Sequence, residues 1–397
     1  MIIDRPTYTD SIRPYIGKSM IKVLTGQRRV GKSYILKKMA EEIKATFPNA
    51  HIIDINLEDF SFAHITSAEP LLREIASRSV EGERNFVFLD EIQEVEDFDK
   101  ALRTLALNPA YDIYVTGSNS KMLSAEMASR LAGRSIEFRI HPLSYSEFLT
   151  FHHLSDSDEA VMTYLRYGGL PYLINLPDKD TWAEYLANVT DAIVYRDVVA
   201  RHALRNADFL GRMMLYLADN VGRMFTAKRI ADYLKSQRMS GNVTTVQSYV
   251  SFIEEAFIVN RARRWDIEGK RYFEIGEKFF FEDVGVRNSI VGFRPQDLSG
   301  LLENVVYNHL LVHRYNVRIG SIDNKEIDFI AEKNGECKYI QVALSILDEN
   351  TLHREFGNLE LIPDNYEKIV VTLKDDVPNT TRGIKNMNLR EFLLQMY

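Results

Sequence analysis

Eight residues near the start of the chain have the types and spacing to grip a polyphosphate. Gly26-Gln27-Arg28-Arg29-Val30-Gly31-Lys32-Ser33 is a G-x-x-x-x-G-K-[ST] run without departures. Its glycines let backbone amides turn inward as an anion nest. The helix that follows, with Tyr34 in its first turn, points its positive end at the same place. In this pattern Lys32 reaches the β- and γ-phosphates of a nucleoside triphosphate and Ser33 holds Mg²⁺. The plain alternative is a chance Gly-rich turn; an apolar strand before it and a helical pattern after it speak against that.

Two carboxylates follow at the end of a later apolar run, Phe86-Val87-Phe88-Leu89-Asp90-Glu91. Asp90, at the C-terminal end of a strand beside the phosphate loop, would bind Mg²⁺ through water. Glu91 would polarise the attacking water as a general base. Alone, the pair reads equally as a solvated strand end. Thr116-Gly117-Ser118-Asn119-Ser120 ends the next strand. Ser118 or Asn119 can bond the γ-phosphate or the water, or be only a polar turn. Within Ser129-Arg130-Leu131-Ala132-Gly133-Arg134, Arg134 ahead of Arg130 is a candidate to act in trans on a neighbour's nucleotide. The same arginines also fit surface charges satisfying a helix dipole.

The elements that position these residues follow from the apolar patterning. Short runs at 20–25, 51–55, 85–90, 112–116 and 135–140 read as strands, with helical stretches such as 33–47 and 99–107 between them. Such alternation means a parallel sheet covered on both faces. From residue 141 to about 160 the sequence reads as a connection. Helices are then expected at 161–166, 182–201, 209–221, 227–237 and 243–256. Two short strands, 258–265 and 271–274, surround a turn; a helix at 301–313 and strands at 317–321, 326–332, 339–344 and 368–373 make a last α/β unit.

Composition narrows the class. The 397 residues carry net charge −7, 45% hydrophobic and 26% charged residues, an ordinary globular balance. A single cysteine, Cys337, excludes an intrachain disulfide and a Cys-rich zinc site. No apolar run is long enough to span a bilayer. Residues 1–20 lack a basic start followed by an apolar stretch. A cytoplasmic setting without a membrane partner is expected. Charge is uneven: residues 201–300 hold 16 basic against 12 acidic residues, whereas the flanking stretches are net acidic. That basic middle has a winged-helix plan of helix, linker, helix and two-stranded wing. Arg261, Arg263, Arg264, Lys270 and Arg271 lie in or beside the wing, which points to duplex DNA through the wing. The second helix carries Glu254 and Glu255 but no Lys or Arg, poor chemistry among phosphates. A module that holds partner proteins, or only packs on the ATPase, is the alternative.

G-Q-R-R-V-G-K-S, F-V-F-L-D-E-I-Q, T-G-S-N-S and S-R-L-A-G-R, in this order, resemble the AAA+ superfamily of ATPases. More narrowly, the chain is similar to prokaryotic AAA+-type ATPases whose C-terminal half is an uncharacterised region with a restriction-endonuclease-like end. The resemblance implies ATP and Mg²⁺ binding, an AAA+ strand order and a small helical lid, for which 164–173 with Arg166 and G-G-L-P is the natural segment; Arg196 and Arg201 lie further along. It names no substrate. It divides the chain into an α/β AAA+ core at 1–150, a helical lid or connector at 151–205, a winged-helix-like region at 206–285 and a small restriction-endonuclease-like α/β domain at 286–397. Enzymes of that last fold hold Mg²⁺ with an acidic residue on one strand and E-x-K on the next. Glu303 and Asp328 match, but Gln341-Val342-Ala343 replaces E-x-K, so the nuclease is expected to be inactive. The expected activity is Mg²⁺-dependent ATP hydrolysis coupled to a macromolecular partner. A slow nucleotide-dependent switch that binds a protein is the second expectation, and DNA cleavage a distant third.

Overall fold

A computed structural model describes residues 3–120, 131, 133–239, 241–347, 349–374 and 380–395. The chain forms two compact units, one of residues 1–141 with 255–257, the other of 142–254 with 258–397.

The first unit is built on a five-stranded sheet. Its strands are β1 (Ile21–Thr25), β2 (His51–Asn56), β3 (Asn85–Asp90), β4 (Tyr111–Gly117) and β5 (Ser135–Arg139). Their order is β2-β3-β4-β1-β5 and every pairing is parallel. β1 and β3 are buried along their whole length, so both read as continuous apolar runs rather than alternations. Helices Lys32–Thr46, Ala68–Arg78 and Phe98–Ala106 connect the strands. Leu71, Ile75, Leu102 and Leu105 pack with Val23, Val87, Leu89 and Val115 in one core. Parallel strands end on the same side. The loops after β1, β3 and β4 therefore converge at one edge, which is what assembles the site. At the other edge, buried Lys22 pairs with buried Asp112, whose carboxylate also accepts from the Gly17 amide at 2.7 Å and the Tyr114 hydroxyl at 3.2 Å. An apolar strand thus tolerates a lysine because its charge is matched.

The second unit opens where the sequence reads as a connection. Helix Tyr145–His152 starts on a capping box between Ser144 and Glu147. Helices Asp158–Tyr167 and Lys179–Ala192 follow; the latter continues into a stretch of wider turns, Ile193–Ala200. Next come Ala207–Asp219, Ala227–Ser236 and Val243–Glu255. An eight-stranded sheet completes the unit: β6 (Val259–Asp266), β7 (Arg271–Phe281), β8 (Asn316–Ile322), β9 (Lys325–Lys333), β10 (Glu336–Ala343), β11 (Glu367–Thr372), β12 (Thr380–Thr381) and β13 (Ile384–Asn388), in the order β12-β13-β11-β10-β9-β8-β6-β7. The helix–helix–hairpin succession expected for 206–285 is present. Its hairpin is not a free wing, however. β6 pairs in parallel with β8, Arg264 opposite Ile319 and Asp266 opposite Ser321. One sheet therefore runs across the border expected at 285/286.

Candidate nucleotide site

The phosphate loop joins β1 to helix Lys32–Thr46. Gly26 has φ +143°, and a Cβ there would lie 2.1 Å from the Ile140 carbonyl oxygen, so only glycine fits. Gly31, at φ +97°, is the left-handed residue that starts the helix. The Lys32 ammonium donates to the carbonyls of Gly26 and Gln27, each at 3.0 Å, and stands 4.0 Å from Glu91 Oε1. Gln27 and Val30 are buried, Arg28 pairs with Glu58 at 3.0 Å, and Arg29 is exposed with φ +72°. Tyr34 is 57% exposed on the first helical turn.

Asp90 and Glu91 stand at the end of β3, both buried. Asp90 accepts from the Thr116 hydroxyl and bonds Ser33. Burial pushes its carboxyl up, and those two hydroxyls oppose the shift. Thr116 Oγ1 also accepts the Glu91 backbone amide at 2.8 Å, which holds Glu91 at φ +57°. Burial would raise the Glu91 carboxyl as well, but Lys32, the Gln93 amide, Arg28 and Ser118 outweigh it and hold Glu91 below the ordinary carboxylate range. Glu91 is thus ionised. Ser118 and Asn119, buried at the end of β4, lie on the same edge, and Gln93 Nε2 donates to Ser118 Oγ at 3.3 Å. The Ser33 hydroxyl and the Asp90 carboxylate, bonded to each other at a helix N-terminus, are hard oxygen donors that suit Mg²⁺.

Arg130 lies outside the described residues. Arg134 is exposed immediately before β5, and its carbonyl takes the Ile21 amide at 2.8 Å. β1 and β5 run parallel with Ile21 opposite Ser135. Arg134 is therefore at the sheet edge away from its own phosphate loop, roughly 16 Å along a five-residue strand. Thr116, Gln93 and Arg5 belong to this site and were not read from the sequence. Each hydrogen-bonds a residue of the site: Thr116 holds Asp90 and Glu91, Gln93 holds Glu91 and Ser118, and Arg5 holds the Val30 carbonyl.

In the second unit, the basic residues of the hairpin divide. Arg261 is paired with Glu254 and with Glu277 at 3.2 Å, and Arg264 donates to Ser321 Oγ at 3.2 Å. Arg263 and Lys270 are exposed, and the side chain of Arg271 is outside the description. Gly168 and Gly169 of G-G-L-P rest on buried Asp283, which accepts the Gly169 amide at 2.7 Å and the Val286 amide at 3.0 Å. Glu303 and Asp328 lie around an amine supplied by another strand. Lys278 Nζ on β7 is 2.8 Å from Glu303, 2.6 Å from Glu326 and 3.4 Å from Asp328. Burial works against the ammonium, but the three carboxylates keep it charged. Gln341 Oε1 accepts the Asp328 amide at 2.6 Å and its Nε2 donates to Glu355 at 2.8 Å. Among the described residues no group of three or more His, Cys, Asp or Glu side chains is disposed to hold a metal. No described helix is long and apolar enough to cross a membrane.

The parallel sheet, the phosphate loop and the two carboxylates define a P-loop ATPase domain of the AAA type. An AAA domain family model matches residues 18–149, and a domain of unknown function matches 158–297. An uncharacterised protein of Haemophilus influenzae is 34% identical over 400 residues, covering 99% of each chain. The chain belongs to the family of that protein. An uncharacterised protein of Methanocaldococcus jannaschii is 28% identical over 382 residues, 93% of this chain and 80% of its own. A Walker-type ATPase of Pyrococcus abyssi is similar in fold, with TM-score 0.50 and 15% identity over 72% of this chain and 95% of that one.

Proposed function

We propose that the protein binds ATP with Mg²⁺ and hydrolyses it, and that turnover is coupled to work on a macromolecular partner. The observation that carries this reading is the convergence of Lys32, Ser33, Asp90 and ionised Glu91 at one sheet edge. Loop residues 26–33 cradle the phosphates with Tyr34 beside them. Lys32 neutralises the β- and γ-phosphates. Ser33 and Asp90 hold the metal, which supplies charge neutralisation on the phosphates when bound. Glu91 takes the proton of the attacking water, and Ser118 or Asn119 orients that water or the γ-phosphate. Arg134 acts on a neighbouring subunit's nucleotide. The test is a pair of variants: Lys32→Ala loses nucleotide binding, while Glu91→Gln binds ATP and turns over at least about a hundredfold more slowly. Full turnover in Glu91→Gln removes the role given to that residue.

A second reading, a slow nucleotide-dependent switch, is favoured by one detail. The base is already engaged, its carboxylate taking the Gln93 amide and facing Lys32. A partner that frees Glu91 would then set the rate. Duplex DNA is the partner class that exposed Arg263 and Lys270 favour. A DNA-linked ATPase shows a rise in turnover with duplex DNA that disappears at high salt; no rise at low salt moves the partner to a protein. Gln341-Val342-Ala343 in place of E-x-K argues against DNA cleavage.

A further inference from the structure

A second layer of order lies behind the phosphate loop, and one side chain spans it. Arg5 is 4% exposed, just ahead of helix Pro6–Ile12. Its Nη1 donates to the Val30 carbonyl at 3.0 Å and to the His141 carbonyl at 3.0 Å. The guanidinium lies over the Tyr8 ring, 4.5 Å from its centroid, and the Tyr8 hydroxyl accepts the His141 amide at 3.1 Å. Three remote points of sequence thereby meet: the start of the chain, the fifth residue of the loop and the end of β5. The loop is fastened at its first residue too, where Gly26 is pressed against the Ile140 carbonyl and the Ile140 amide donates to Thr25 at 2.7 Å.

The Val30 carbonyl shares a peptide unit with the Gly31 N–H. In a trans peptide these two groups point to opposite sides of the chain, and no cis peptide is found among the described residues. Fixing the carbonyl toward Arg5 therefore fixes the Gly31 amide away from it, toward the side where the loop receives anions. A cationic donor on the carbonyl also polarises the peptide, which makes its N–H a stronger donor. Without Arg5, the Val30 carbonyl loses that charged donor.

We propose that Arg5 is a positioning residue for the nucleotide site: it holds and polarises the Val30–Gly31 peptide so that the Gly31 amide is aimed at the phosphates before they arrive. This rests on the nucleotide-binding reading above. Arg5 touches no nucleotide in this scheme, so its loss weakens phosphate binding more than it slows chemistry. A plain packing role lowers thermal stability and leaves affinity alone.

The experiment measures ADP affinity, ATP KM, kcat and unfolding temperature for the full chain and for Arg5→Gln and Arg5→Lys. Arg5→Gln is expected to raise the ADP Kd and the ATP KM about tenfold, the scale of one charge-assisted hydrogen bond, with kcat within about threefold. Arg5→Lys keeps the charge but not the planar fork, and recovers part of that affinity. A folded Arg5→Gln with wild-type ADP affinity overturns the proposal, as does a loss confined to kcat. Should Arg5→Gln not fold, Arg5→Lys decides alone: unchanged KM overturns the proposal and a raised KM at near-native unfolding temperature supports it. The two readings fail separately. A wild-type chain that binds no ADP, or a Lys32→Ala chain that binds it normally, removes the nucleotide site itself. Arg5 variants indistinguishable from a wild type that does bind ADP remove only the role of Arg5.

Discussion

Thr116 does two jobs with one oxygen: it donates to Asp90 and accepts the backbone amide of Glu91. Replacing it by valine keeps the volume and removes both bonds, leaving a buried carboxylate short of a donor. Thr116→Val should lower kcat about tenfold while ADP affinity changes little; equal losses in both would place Thr116 in phosphate binding instead. The residues that the structure gathers at this edge stood out in the sequence because the phosphate-loop pattern sets residue types at fixed spacing. Thr116, Gln93 and Arg5 were not legible. A threonine in a strand and an arginine near a helix start are ordinary in sequence, and only the third dimension shows what they hold.

At the scale of elements, strands of the first sheet stood out because parallel strands covered on both faces need long apolar runs. Helix Tyr145–His152 did not, because its pattern YSEFLTFH is apolar on most sides and its capping signal, Ser144 with Glu147, spans only four residues. β7 extends to Phe281 because its far end, residues 278–281, is buried rather than alternating with solvent. The G-G-L-P turn shows how such elements are locked together. Gly168 has φ +72° and its missing Cβ would sit 2.1 Å from Asp283 Oδ1. Burial raises Asp283 from 3.8 to about 6, against the amides of Gly169, Val286 and Gly285. A carboxyl whose folded value is raised contributes most below its unfolded value. That contribution is lost as pH climbs through 3.8 to 6, then stays level. The stability of the wild type relative to Asp283→Asn should therefore fall between pH 4 and about 6.5 by up to about 3 kcal/mol. Urea titrations at a series of pH values check this, and a flat difference would mean Asp283 keeps an ordinary carboxylate value.

For the molecule as a whole, the position of Arg134 makes a statement about neighbours. It lies at the sheet edge away from its own loop, and the trans role proposed for it has a test at the scale of the assembly. Arg134→Ala alone should hydrolyse slowly yet bind ATP normally. Mixed with Lys32→Ala, which cannot bind ATP but keeps its arginine, it should regain activity; no regain at any mixing ratio removes the trans role. The strand–helix alternation of the sequence stops near residue 141, and the two compact units divide there. The inner borders of the second unit were not legible, because β6 and β8 are separated by fifty residues of sequence and meet only in the sheet.

That meeting also orders events during synthesis. When the β6–β7 hairpin has left the ribosome, the strand that covers the open side of β6 has not yet been made. Residues Arg264, Trp265 and Asp266 wait with unpaired backbone groups until Ile319, Gly320 and Ser321 arrive. A chain cut at residue 285 would stay in that waiting state for good, a sticky half-sheet rather than a small free-standing module.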